Sequence, residues 1–156
     1  MGLKVKFNLR GVDKDIARHQ KRLERIVQDV FMAEGEKLTS HIRNRSKQES
    51  WIDQTGNLRS SVGYVVVKDG VKVGTSTFQQ VKEGAEGAQV GAAYAEQKAL
   101  EQKGNYALSV VAGMEYAEFV EAHDNKDVLA SARLIAADDI SKMEEDIEIR
   151  FDRGVK

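Results

Sequence analysis

At 156 residues, with 41% hydrophobic and 31% charged side chains, the chain holds one domain's worth of core in an ordinary globular composition, which excludes wholesale disorder. It has no cysteine, which excludes a disulfide framework and a cysteine-ligated metal, and no proline, so glycine, asparagine and aspartate must make its turns. The net charge of −1 conceals an asymmetry: residues 1–50 carry 12 Lys/Arg against 7 Asp/Glu, and residues 107–156 carry 6 against 12.

Leu3, Val5, Phe7 and Leu9 alternate with Lys4, Lys6, Asn8 and Arg10. That period of two predicts a half-buried strand, which Gly11 ends. The segment lacks the continuous apolar core of a secretory leader, and no run in the chain approaches the ~20 apolar residues a membrane span needs. Asp13 or Asp15 then caps a long helix predicted over residues 13–47, with Ile16, Leu23, Ile26 or Val27, Val30 or Phe31, Leu38 and Ile42 as its apolar stripe. Its other face carries Arg18, Lys21, Arg22, Arg25, Asp29, Glu36 and Arg43. At 1.5 Å per residue such a helix reaches roughly 50 Å, longer than a small domain is wide. Either Gly35 interrupts it or part of it packs outside the domain.

Trp51, the single tryptophan, reads as a packing anchor beside Asp53-Gln54-Thr55-Gly56-Asn57-Leu58-Arg59-Ser60-Ser61-Val62, where the structural period changes. Thr55 is placed to cap a short turn there. Val62, Tyr64 and Val66, then Asp69-Gly70, then Val71 and Val73 predict a hairpin whose second strand continues through Phe78.

Residues 79–104 are rich in alanine and glycine. Val81, Ala85, Ala88, Ala92, Ala95 and Ala99 keep helical spacing, but Gly84, Gly87 and Gly91 each weaken a helix by ~1 kcal/mol. The segment is read as an insertion, either helical or a loop that becomes helical only against a partner. Tyr106–Gly113 predicts a strand, and residues 114–122 a short helix or an irregular strand. Ser131 is placed to cap a final helix with Ala132, Ile135, Ala136, Ile140, Met143, Ile147 and Phe151 inward and Asp138, Asp139, Glu144, Glu145 and Glu148 outward. No linker divides residues 1–156. The order predicts one α+β domain, a small antiparallel or mixed sheet packed against a long N-terminal and a C-terminal helix.

Catalytic patterns are missing. Glu115, Glu118, Glu121, Asp124 and Asp127 surround His123, which would suit a divalent metal if they converged, but such a row is also how an amphipathic element presents its wet face. Ser60 and Ser61 sit in no nucleophile elbow, and His19, His41 and His123 are scattered. The expectation is no enzyme: no catalytic residue, cofactor or resident metal. The basic helix over 13–47 offers an alternative as a nucleic-acid-binding module, and the 115–127 cluster one as a metal-dependent enzyme. The helix's cations alternate with acids, so no specific nucleic acid is expected as a partner.

Gln54-Thr55-Gly56-Asn57-Leu58-Arg59-Ser60-Ser61-Val62, followed by strands and by Gly113-Met114-Glu115-Tyr116-Ala117-Glu118-Phe119-Val120-Glu121, resembles the head–tail connector, or tail-completion, proteins of tailed bacteriophages. The signature residues are Thr55, Gly56, Leu58 and Arg59, then Tyr116, Ala117, Val120 and Glu121. The chain departs from the pattern at Gln54, where aspartate is usual (Asp53 stands one place earlier), and at Ala122, where glycine is usual. The resemblance implies a non-enzymatic structural subunit that forms oligomeric rings between capsid and tail. Its partners would be portal, adaptor or tail-tube proteins. Its place would be the host cytoplasm during assembly and then the virion. Head-to-tail contacts in such a ring would suit the charge asymmetry, with Arg18, Arg22 and Arg25, the small residues Ala85, Ala88 and Ala92, and Glu144 and Glu148 as candidate interface residues. Arg59 is expected to reach a carboxylate such as Glu121.

Overall fold

The computed structural model describes residues 4, 9–46, 51–123 and 126–154. The strand expected over residues 3–9 lies almost wholly outside them; Lys4 is exposed and in no strand, and Leu9 forms the turn that opens the first helix. That helix, α1, runs Arg10–Asn44 and begins earlier than expected. Neither Asp13 nor Asp15 caps it, because the Asp13 N–H already bonds the Leu9 carbonyl at 3.0 Å. Gly11 therefore lies inside the helix and stops nothing.

Gly35 does not interrupt α1 either. It is a seat for the Tyr64 ring, whose Cδ2 lies 2.5 Å from where a β-carbon would stand. Tyr64 is 1% exposed and donates to Glu36 at 3.1 Å; burial, with the Glu36 charge and hydrogen bond, pushes its hydroxyl up to about 12.

After a short helix, α2 (Asn57–Ser60), come β1 (Val62–Lys68) and β2 (Val71–Thr75). They form the expected hairpin. Asp69 and Gly70 both take positive φ, 51° and 79°, as the turn that matches strand twist requires. The second strand stops at Thr75 rather than Phe78, although Ser76 still bonds Tyr64 at 3.0 Å. β3 (Tyr106–Ala112) pairs antiparallel on the other side of β1, so the sheet order is β2-β1-β3.

Central strand β1 is buried on both faces from Val62 to Val67, which explains its unbroken valine run. Val62 packs with Leu38 and Ile42 of α1, Trp51, Leu58 and Ala132. Val65 and Val67 pack on the opposite face with Ala95 and Ala99. Those alanines belong to α3 (Ala85–Glu101), which occupies most of the Ala/Gly-rich segment. The helix has a partner, and the partner is the chain's own sheet.

The inward face of α3 is Gly87, Gly91, Ala95 and Ala99. Ala85 is exposed, and Ala88 and Ala92 are half-buried. The glycines allow backbone to meet backbone. A β-carbon on Gly91 would lie 2.5 Å from the Ser61 carbonyl, and one on Gly113 would lie 2.6 Å from Gly91 Cα.

A short helix, α4 (Ala117–Ala122), precedes the last, α5 (Ala130–Asp152), which lies along α1. Ile140, expected inside, is 56% exposed, and Asp139, expected outside, is 5% exposed. Asp139 faces α1 because Lys37 pairs with it there, with Lys142 on its other oxygen at 2.7 Å.

Gly87→Ala separates packing from propensity. Propensity alone favours alanine by ~1 kcal/mol. A β-carbon would drive into the Asn57 carbonyl, so the variant is expected to lose about 1–3 kcal/mol. A lower urea midpoint at unchanged slope would show it.

Candidate functional site

Asp53 organises the corner between α1 and the sheet. Its buried carboxylate accepts the Gly56 N–H at 3.0 Å on one oxygen and the Arg59 N–H at 2.9 Å on the other. These are orphan donors at the start of α2. Gly56 precedes α2 with φ 87°, a left-handed conformation that suits glycine. Thr55, the expected cap, is exposed and contributes a longer bond, 3.3 Å from the Asn57 N–H. The cap therefore sits two residues before the predicted one.

The corner's other polar groups fasten α3. Asn57 accepts the Gly87 N–H at 3.3 Å and donates to Glu86 at 3.1 Å. Ser60 Oγ accepts the Val81 N–H at 2.8 Å, and Glu83 N–H bonds the Thr55 carbonyl at 3.1 Å. Sequence reasoning missed Asp53, Asn57 and Ser60 in these roles. The usable signal was Asp53 three residues ahead of Gly56, the spacing at which a side chain reaches a helix-opening N–H.

Arg59 does not reach Glu121. Its guanidinium donates to the Arg43 carbonyl in the last turn of α1, lies 3.5 Å from the Trp51 carbonyl, and stacks 4.8 Å from the buried Trp51 ring. It thus satisfies an orphan carbonyl at the helix C-terminus, where the macrodipole favours a cation. Arg43 in turn donates to the Val62 carbonyl.

Glu121 instead accepts from Leu129 N–H at 3.0 Å and Ala130 N–H at 2.6 Å, at the start of α5. Asp127 takes the Ser131 N–H at 3.0 Å and pairs with Arg45 at 2.6 Å. So Ser131 is capped rather than capping. Burial alone would raise the Asp127 carboxyl, but the Ser131 hydrogen bonds and Arg45 together hold it below the ordinary range.

The two signature stretches meet at this corner. Leu58 and Ala117 are buried in one cluster with Val120 against it, and Gly113 N–H bonds Ser61 carbonyl at 3.1 Å. Tyr116 is raised by burial and then by the charges of Asp53 and Glu86. Beside it Ile52, Tyr116 and Phe119 are 64%, 41% and 66% exposed, and His123 stacks on Phe119 at 4.9 Å.

The candidate interface residues scatter. Arg18 is exposed and pairs with Asp15 at 2.7 Å. Arg22 donates to the Arg150 carbonyl at 2.8 Å and lies 5.9 Å from the Phe151 ring, closing the C-terminal end of α5. Arg25, Glu144 and Glu148 are exposed on their helices. In the acidic row Glu115 and Glu118 face solvent while Glu121 and Asp127 cap α5; Asp124 lies outside the described residues. Among the described residues no three His, Asp or Glu side chains converge, and no helix is long and apolar enough to cross a membrane.

No family model matches the chain, and no curated protein or solved structure matches it.

Asp53→Ala is expected to cost about 1.5–3 kcal/mol, since two buried N–H groups lose a charged acceptor. Thr55→Ala is expected to cost under 1 kcal/mol. Chemical denaturation of both variants checks the ranking. For Asp127, whose folded value is depressed, the contribution is full above the ordinary aspartate pKa of about 4 and disappears as pH falls through the folded value. Acid titration of Asp127→Asn beside the parent, followed by circular dichroism, should show a shallower loss of stability below pH about 4 in the variant.

Proposed function

We propose that the chain is a non-enzymatic structural subunit of tailed-phage or prophage virion assembly, acting as a ring-forming connector or completion protein at the head–tail junction or tail end. The observation that carries this reading is the convergence of the two signature stretches, 54–62 and 113–121, on one corner. Six of the eight signature residues have a mechanical task there. Gly56 turns the chain, Leu58, Ala117 and Val120 fill the core, Arg59 closes α1, and Glu121 opens α5.

Such a corner is built for stiffness. Asp53, Arg59 and Glu121 are held by backbone partners, and among the described residues they form no array of convergent acids and bases of the kind general acid–base chemistry uses. Three cations of the basic helix are likewise engaged within the subunit: Arg22 with α5, Lys37 with Asp139, and Arg43 with β1. Beside its charged side chains the domain offers apolar ones outward: Ile52 and Phe119 beside the corner, and Leu9, Val12 and Ile16 on the first turns of α1. Exposed apolar surface of this kind suits assembly with other subunits.

Purified virions of the phage that encodes the chain are expected to contain it. Native mass spectrometry with portal or tail-tube proteins is expected to give a discrete ring. A strictly monomeric chain that is absent from virions would overturn the reading.

A further inference from the structure

We infer that the edge of β3, open among the described residues, receives the alternating segment Leu3–Asn8 of a second copy of this chain as an added strand. The inference deepens the ring-forming reading and rests on it for its biological setting.

The two edges of the sheet differ. On β2 the ladder slips between Val66 and Val67, Lys72 stands in the strand, and Gln28 of α1 donates to the Val73 carbonyl at 2.6 Å. These features blunt an edge against further pairing. β3, Tyr-Ala-Leu-Ser-Val-Val-Ala, has no charge, no proline and no register slip. The Gly113–Ser61 bond fixes its phase: Ala107, Ser109 and Val111 bond β1, so Leu108, Val110 and Ala112 turn their N–H and C=O groups outward. That edge is the floor of a groove of about 910 Å³ between α3 and α4. Val90 and Tyr94 line one wall, and Glu118, Glu121 and Leu129 the other.

The occupant is argued from pattern, charge and reach. Residues 3–8 are long enough to lie along six of the seven residues of β3, and they alternate apolar with polar side chains. Their polar face carries Lys4 and Lys6, and the groove's acidic rim carries Glu115 and Glu118, both exposed. Lys98, also at the groove, is already paired with Glu101 at 2.7 Å.

Reach excludes the segment's own subunit. α1 passes Tyr106 with Glu24, Tyr64 with Gly35 and Val62 with Arg43, so its first turns run away from the sheet beyond Tyr106. From Glu24 to Leu9 is about 22 Å of helix. Residues 3–8 extend at most about 22 Å from Leu9, which brings them back no further than the near end of β3 and cannot lay them along it. A neighbouring subunit has no such restriction. Leu9, Val12 and Ile16, 61%, 50% and 51% exposed, lie next to the docked segment and would be covered with it.

The test mixes 14N- and 15N-labelled full-length chains, activates carboxylates with a carbodiimide, and maps amide cross-links by mass spectrometry. The expected result is mixed-isotope links from Lys4 or Lys6 to Glu115 or Glu118. A Glu115→Lys/Glu118→Lys variant is expected to weaken self-association about tenfold, and adding Lys4→Glu/Lys6→Glu to restore it. Same-isotope links alone would overturn the inference. So would an oligomer that persists without these links, which would leave the ring reading standing. A chain that stays monomeric and gives no mixed link overturns the inference as well; its presence in or absence from virions then decides the ring reading separately.

Discussion

The first turns of helix α3 lie on the corner with backbone against backbone. Gly87 meets the Asn57 carbonyl and Gly91 the Ser61 carbonyl, while Gly113 closes on Gly91 from the end of β3. Contact this close brings polar backbone together, and such groups must be satisfied once water is excluded. Asn57 and Ser60 meet that requirement by bonding Gly87 and Val81, and Asp53 holds the corner backbone in the shape that presents them. With one face of β1 sealed in this way, the valines on that face are buried by Ala95 and Ala99, with Tyr94 of α3 and Phe78 packed against the cluster. The helix gives up ~1 kcal/mol of propensity at each glycine and gains a rigid second layer.

The opposite layer is organised by helix ends. α1 finishes on Arg59, α5 begins on Glu121 and Asp127, and α5 finishes on Arg22. Each places a charge of the sign the local dipole favours. Part of the charge asymmetry between the two ends of the chain is thus neutralised inside one subunit, since α1 supplies cations and the α5 side supplies carboxylates. The N-terminal turns of α1 and the outer face of α5 keep the remainder.

Periodicity made α1 and α5 legible, and the valine-rich run around Asp69-Gly70 did the same for the hairpin, whose first strand is buried on both faces. Details decided by a single contact were not. The start of α1 was misplaced because Leu9 offers no capping side chain. Asp139 looked solvated because its partner Lys37 is 102 residues away, and Ile140 looked buried because the stripe was drawn one residue late. In α3 the alanines drew attention while the glycines beside them made the contact; only the backbone of α2, distant in sequence, explains why. The corner was recognisable as a turn, but Arg59 was sent to the wrong partner. An arginine seeking a carbonyl leaves no trace in charge patterning, whereas a carboxylate always looks like the obvious mate.

A stiff corner and two unsatisfied surfaces belong together. If the subunit joins others through the edge of β3 and the overhang of α1, the orientation of α1 relative to the sheet sets the angle between neighbours. That orientation is fixed at one end by Arg43 and Arg59, which tie the last turn of α1 to β1 and α2, and midway by the Tyr64 ring seated on Gly35. A small rotation at the corner would be magnified over the roughly 50 Å of helix that follows from it, and a ring tolerates little error before it fails to close. On that argument Gly56, Leu58 and Arg59 matter to assembly although they lie outside the contact: they hold the lever whose far end makes it.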